Sequence, residues 1–152
     1  MLELQELSER IIAAAIHVHR TLGPGFIEKI YEEALCHAFR RRGIGFIRQY
    51  AIDILFEGVK VGDHQLDLFV GNEMVVELKA VRAIDATHFS KVRSYLRAVN
   101  KQHGLILNFA LPRLEIKRVI SSANPPPDFL TSCLPERKKG KEAGPEDAEP
   151  LE

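Results

Sequence analysis

Apolar side chains at Leu4, Leu7, Ile11, Ala14, Ala15, Val18 and Leu22 recur every three or four residues, so residues 3–22 predict an amphipathic helix. Glu3, Glu6 and Glu9 lie in its first turns, where the helix dipole favours acid. Gly23-Pro24-Gly25 ends it. A second helix is expected from about Phe26 to Arg42, burying Ile27, Ile30, Leu35 and Phe39, with Gly43 as its C-cap. The period then shortens to two. Strands are expected over 46–56, over 59–70 with an interruption near Gly62, and over 74–81, with a turn at Glu57-Gly58. Asp85 is placed to N-cap a helix over 86–100 that turns Val92, Leu96 and Val99 inward, and short strands follow at about 104–109 and 114–120. The order is helix–helix–strand–strand–strand–helix–strand–strand, with no internal repeat.

From Ser121 the pattern dissolves. Pro125-Pro126-Pro127 opens a stretch of Pro, Gly, Lys and Glu with too little apolar surface to offset chain entropy. Residues 1–121 therefore read as one domain and 122–152 as a disordered tail. No apolar run approaches the roughly 18–20 residues a membrane span needs, and the acidic start, MLELQELSER, lacks the form of a secretion signal. A cytoplasmic location without membrane attachment is expected.

The hairpin at 65–80 carries the chemistry. Side chains alternate faces along a strand, so Leu66, Leu68 and Val70 share one face and Gln65, Asp67 and Phe69 the other. On the next strand Met74, Val76, Leu78 and Ala80 oppose Val75, Glu77 and Lys79. Matching the apolar faces across the three-residue loop Gly71-Asn72-Glu73 pairs Val70 with Met74, Leu68 with Val76 and Leu66 with Leu78. That register sets Asp67 opposite Glu77 and Gln65 opposite Lys79. Two carboxylates facing each other across central strands repel. A bound divalent cation, Mg²⁺ or Mn²⁺, resolves the conflict, since such ions take carboxylate, water and phosphate oxygens. Lys79 would then stand beside a scissile phosphate and steady its developing charge. The plainer alternative is a salt-bridged polar face.

Charge changes the picture modestly. The 152 residues are neutral overall, yet residues 1–120 hold 17 Lys+Arg against 14 Asp+Glu, and the remainder 4 against 7. A mildly basic body suits transient nucleic-acid contact and disfavours a tight non-specific coat. Arg40-Arg41-Arg42 reads as a dipole-matched helix end or as a DNA contact, and the Arg137–Lys141 run as solubilising. His17 and His19 point different ways on a helix, so they are no metal pair, and His19 reads as a packing or capping residue. Cys36 and Cys133 suggest no disulfide framework and no zinc site.

Leu22-Gly23-Pro24-Gly25-Phe26-Ile27-Glu28-Lys29-Ile30-Tyr31 resembles the signature of the GxxExxY protein family, with Gly25, Glu28 and Tyr31 in the named positions. Val76-Glu77-Leu78-Lys79-Ala80-Val81, Asn108-Phe109 and Leu114 to Arg118 resemble it too, so the likeness covers about residues 10–120. It implies the restriction-endonuclease-like PD-(D/E)XK fold: an α/β domain with an α-β-β-β-α-β core and a mixed sheet flanked by helices. It also implies Asp67 as the motif aspartate and Glu77-x-Lys79 as the (D/E)XK element. Glu28 is similar to a helical glutamate that supplements the metal site in several branches, although a first-turn acid satisfying the dipole explains it as well.

The chain departs from the resemblance at two points. Lys91 stands where many relatives have Gln, and Gln65 where many have Arg. His88, Lys91 and Tyr95 share one helix face and are candidates for nucleic-acid contact. Lys91 is suited either to binding phosphate or to filling the site with fixed charge.

The functional expectation is a Mg²⁺- or Mn²⁺-dependent nuclease with Asp67 and Glu77 on the metal, Glu28 assisting and Lys79 catalytic. Nucleic acid is the expected partner, DNA ahead of RNA, and the oligomeric state stays open, a homodimer included. The alternative is a nuclease fold kept as a binding module for nucleic acid or protein. A purely structural interaction protein would leave the paired carboxylates unexplained.

Overall fold

The computed structural model describes residues 3–121, so the expectation of a disordered tail over 122–152 lies outside the described residues. Helices α1 (Leu4–Leu22) and α2 (Glu28–Arg42) precede strands β1 (Phe46–Phe56), β2 (Val59–Val70) and β3 (Met74–Lys79). Helix α3 (Ala86–Val99) then leads to β4 (His103–Asn108) and β5 (Glu115–Ile120). The five strands form one sheet in chain order, with β3 and β4 parallel and every other neighbouring pair antiparallel. Helix α3 is the crossover that a parallel β3–β4 pair requires. The pattern-derived order of elements and the α/β class both hold.

Each face of the sheet is covered. Leu7, Ile11, Ala14 and Val18 of α1 and Leu35 and Phe39 of α2 pack on Leu68, Val70, Val76, Leu78, Leu105 and Leu107. On the opposite face Val92 and Leu96 of α3 pack on Leu66, Phe69, Val75 and Ile106. Burying both faces of the central strands explains why they read as nearly continuous apolar runs. Asp85 caps α3 through its side chain, accepting from Thr87 N–H at 3.0 Å, while His88 Nδ1 accepts the Asp85 N–H in return. Gly43 ends α2 in the left-handed region, at φ 70°, where a residue without Cβ is unstrained.

Three expectations need correction. Ile27 and Ile30 are not core residues: they are 66% and 41% exposed. Ile27 precedes the helix in extended conformation, and Ile30 lines an open groove of about 750 Å³ with Val18, Leu22 and Ala34. Strand β2 is not interrupted at Gly62. It carries a bulge there instead, because Ile54 pairs with Gly62 and Leu55 with Lys60, so that Val61 is skipped.

The third correction bears on chemistry. Val70↔Met74 and Leu68↔Val76 pair as the apolar pattern requires, but the β2–β3 ladder stops there, and Leu66 does not pair with Leu78. Leu66 packs on the α3 face, whereas Leu68 packs on the α1–α2 face. Strict alternation would put both on one side. The strand therefore rotates between them, at Asp67.

Candidate active site

Asp67 lies at that rotation, and its carboxylate occupies the gap left in the ladder. Asp67 Oδ2 accepts the Leu78 N–H at 2.9 Å, while Glu77 Oε2 accepts the Asp67 N–H at 3.1 Å. Two interstrand hydrogen bonds that backbone carbonyls would ordinarily accept are thus taken by side chains. The expected meeting of Asp67 and Glu77 is present, reached by splaying the strands rather than by directly opposed side chains.

Burial controls the electrostatics. Glu77 is only 6% exposed. Burial, and then the neighbouring Asp67 charge, push its carboxyl up to about 8, with Lys79 and the Asp67 N–H pulling the other way. Asp67 is also raised, first by burial and further by the charges of Glu32 and Glu28. Each cause penalises a carboxylate that is desolvated or close to another negative charge.

Lys79 ends β3 half-buried, and its charge acts on Glu77. Glu28 opens α2, and its carboxylate accepts the Ala80 N–H at 3.1 Å, which ties the helix start to the end of β3. Asp67, Glu77, Lys79 and Glu28 therefore gather at the C-terminal end of the parallel β3–β4 pair, the end where ligands bind in open α/β sheets.

A buried Glu77 and a half-buried Asp67, both with raised proton affinity, form a hard-oxygen donor pair that fits a cation such as Mg²⁺. Among the described residues no group of three His, Cys, Asp or Glu side chains is arranged to hold a metal. Glu28 thus stands beside the pair rather than completing a preformed cage.

The candidates on α3 separate. His88 belongs to the capping box. Lys91 is exposed, and Tyr95 is half-buried. Tyr95 stacks on His64 of β2 with ring centroids 4.1 Å apart. Burial raises the Tyr95 hydroxyl, helped by the Glu77 and Asp67 charges, so that ring lies near the carboxylate pair. Burial lowers His64, which also feels Asp67, Lys91 and Lys79.

Four residues near the pair escaped the sequence reading: His64, Glu32, Arg48 and Gln49. Glu32 follows Glu28 by one helical turn and is 8% exposed, a spacing that was legible. Arg48 Nε donates to Glu32, Arg48 Nη2 meets Glu33 Oε2 at 3.0 Å, and Gln49 Nε2 donates to both Glu32 oxygens at 3.1 Å. Glu28, Glu32, Arg48, Gln49 and Asp67 line one open cleft of about 470 Å³.

Signature residues outside the pair act as clamps. The Tyr31 hydroxyl donates to Gly23 O at 2.6 Å, accepts the Phe26 N–H at 3.1 Å, and its ring stacks on Phe109 at 4.6 Å. Those contacts hold the loop that starts α2 and so aims Glu28. The buried Asn108 carboxamide exchanges two hydrogen bonds with the Val81 backbone, at 3.1 and 2.9 Å, fixing the chain just beyond Lys79. His19 is buried, with Nε2 2.9 Å from Leu111 O, in keeping with a packing role.

Compared with known proteins, residues 5–119 match the family model described as PD-(D/E)XK nuclease superfamily. No curated protein and no solved structure matches the chain. Among the described residues no helix is long and apolar enough to cross a membrane.

Proposed function

The chain belongs to the PD-(D/E)XK nuclease superfamily, and on that premise we propose that it is a divalent-metal-dependent nuclease whose site is Asp67, Glu77 and Lys79. Members of the superfamily generally depend on divalent metal, and the spacing of Gly25, Glu28 and Tyr31 supports placing this chain in the GxxExxY branch. The observation that carries the proposal is the pair of carboxylates at the end of the β2–β3 ladder, Glu77 accepting the Asp67 N–H and Asp67 the Leu78 N–H, with the Lys79 charge acting on Glu77. Holding a half-buried Asp67 beside a buried Glu77 costs stability unless a cation offsets their charge.

Asp67 and Glu77 would hold Mg²⁺ or Mn²⁺, which supplies positive charge against phosphate oxygens and acidifies water. Lys79 holds the scissile phosphate and stabilises the negative charge that develops on it. Glu28 orients the end of β3 through the Ala80 N–H and adds negative charge at the metal side. Tyr95, with Lys91 on the same helix, lies toward the nucleic-acid strand, and His88 sets the start of that helix. The substrate class is nucleic acid, and the protein acts in the cytoplasm.

A second reading, a nuclease fold kept as a binding module, draws on one observation: both carboxylates already accept backbone N–H groups, so neither is wholly unsatisfied without metal. The deciding assay is cleavage of labelled single- and double-stranded DNA and RNA with Mg²⁺ or Mn²⁺, comparing wild type with Lys79→Ala. The nuclease reading expects cleavage that falls about 100-fold or more in the variant. Folded wild type that cleaves none of the four substrates would favour the binding module.

A further inference from the structure

Strand β1 rotates where β2 does. Arg48 pairs with Leu68 and Tyr50 with Leu66, but the positions between them, Gln49 and Asp67, make no ladder pair. Arg48 reaches α2 on one face, while Tyr50 stacks on Phe69 at 5.1 Å in the α3-side cluster. Two residues that alternation would place together thus point to opposite faces in both strands at the same step. Gln49 makes the turn with φ 50°, in the left-handed region that costs a non-glycine residue roughly 1–2 kcal/mol. Such a conformation persists only where surrounding contacts impose it.

Glu32 supplies such a contact. Its two carboxylate oxygens each receive the exposed Gln49 amide at 3.1 Å, and Arg48 binds the same carboxylate from the preceding residue. Glu32 is buried and holds both the residue that makes the rotation and the one before it. Arg48, engaged by Glu32 and Glu33, is also kept from pairing with Asp67 in the cleft they share.

We infer that Glu32 is a positioning residue for the Asp67–Glu77 pair: through Gln49 and Arg48 it holds the β1 rotation that lets Asp67 leave the ladder and meet Glu77. The inference rests on the reading of Asp67 and Glu77 as metal-holding carboxylates. It adds a hold on β1, from α2, that neither carboxylate supplies.

The test is calorimetric titration of the full chain with Mn²⁺, for wild type, Asp67→Asn, Glu32→Ala, Gln49→Ala and Gln49→Gly, with each melting temperature measured beside it. Wild type is expected to bind and Asp67→Asn to lose the site. Glu32→Ala and Gln49→Ala are expected to weaken binding about 10-fold or more, the size typical of groups that orient metal ligands. Gln49→Gly should stay closer to wild type, because glycine takes the left-handed conformation without strain.

Glu32→Ala and Gln49→Ala that fold and bind Mn²⁺ as wild type does would overturn the inference while leaving the metal site standing. A merely structural clamp would show itself in that way, by lowering melting temperature with no change in Kd. If Glu32→Ala does not fold, the exposed Gln49 position decides alone. Wild type that binds no Mn²⁺, or Asp67→Asn that binds it equally well, removes the metal-site reading and this inference with it.

Discussion

Asp67 and Glu77 each use a carboxylate to fill the gap between β2 and β3: Asp67 accepts from Leu78 N–H at 2.9 Å, and Glu77 accepts from the Asp67 N–H at 3.1 Å. Both acids thus sit where the β2–β3 ladder stops. That placement also makes their ionisation a property of the fold.

Stability of the metal-free protein should therefore fall as pH rises. The Glu77 carboxyl is raised to about 8 from an ordinary value of 4.5, so between those values the folded state retains a proton that the unfolded chain releases. Its contribution is fully present below about pH 4.5 and lost as pH climbs through about 8. Melting temperatures in chelator from pH 5 to 8.5 should decline for wild type. They should decline less for Glu77→Gln, which is expected to be the more stable protein at pH 8. A Glu77→Gln curve parallel to wild type would show that this carboxyl is not the titrating group.

Divalent metal should reverse the loss. At a Mn²⁺ concentration about 100 times Kd, binding to the folded state alone adds about 2.7 kcal/mol. The melting temperature at pH 8 is expected to rise on adding Mn²⁺ to wild type and to stay unchanged in Asp67→Asn. Equal rises in both would place the ion elsewhere.

Tyr31→Phe should act on stability and on the loop before α2. The change leaves the stack on Phe109 but removes the donor to Gly23 O and the acceptor of the Phe26 N–H. Losing a buried hydrogen-bond partner costs about 1–3 kcal/mol, to be read from urea denaturation. Faster amide exchange is expected at Phe26. Unchanged stability would mean that water replaces the hydroxyl.

Gly104→Ala probes how closely α3 lies on the sheet. A methyl group there would sit 3.1 Å from both Val75 O and Val92 Cγ1. Because Val75 O is β3 backbone and Val92 belongs to α3, the strand pair and the helix side chain both have to shift by a few tenths of an ångström, at about 1–3 kcal/mol. Denaturant midpoints should fall accordingly, and an unaffected midpoint would show α3 to be loosely seated.

How far the pattern reaches is visible in particular residues. The residues of α1 and α3, the Glu57-Gly58 turn and the three-residue Gly71–Glu73 loop follow from local rules: apolar period, Asp85 as a cap, turn chemistry at glycine. The pairing of Val70 with Met74 and of Leu68 with Val76 follows from matching apolar faces. Those rules fail two residues later. Leu66 is apolar on either face of a sheet covered on both sides, so hydrophobicity could not announce that the strand turns over at Asp67. Ile30 misled for a related reason: its helical spacing was correct, but the groove beside it is open.

The sequence by itself determined the element order, the α/β class and the acidic and basic residues that approach one another, because periodicity, caps and turns act over a few residues. Only the tertiary structure decided how they approach. The rotation shared by Gln49 and Asp67, the grip of Glu32 on β1 and the stacking of His64 on Tyr95 join residues from 16 to 31 positions apart. The left-handed turn at Gln49 is unfavourable locally and is bonded to a buried carboxylate on another element, so no local rule applied to residues 46–56 could have called for it.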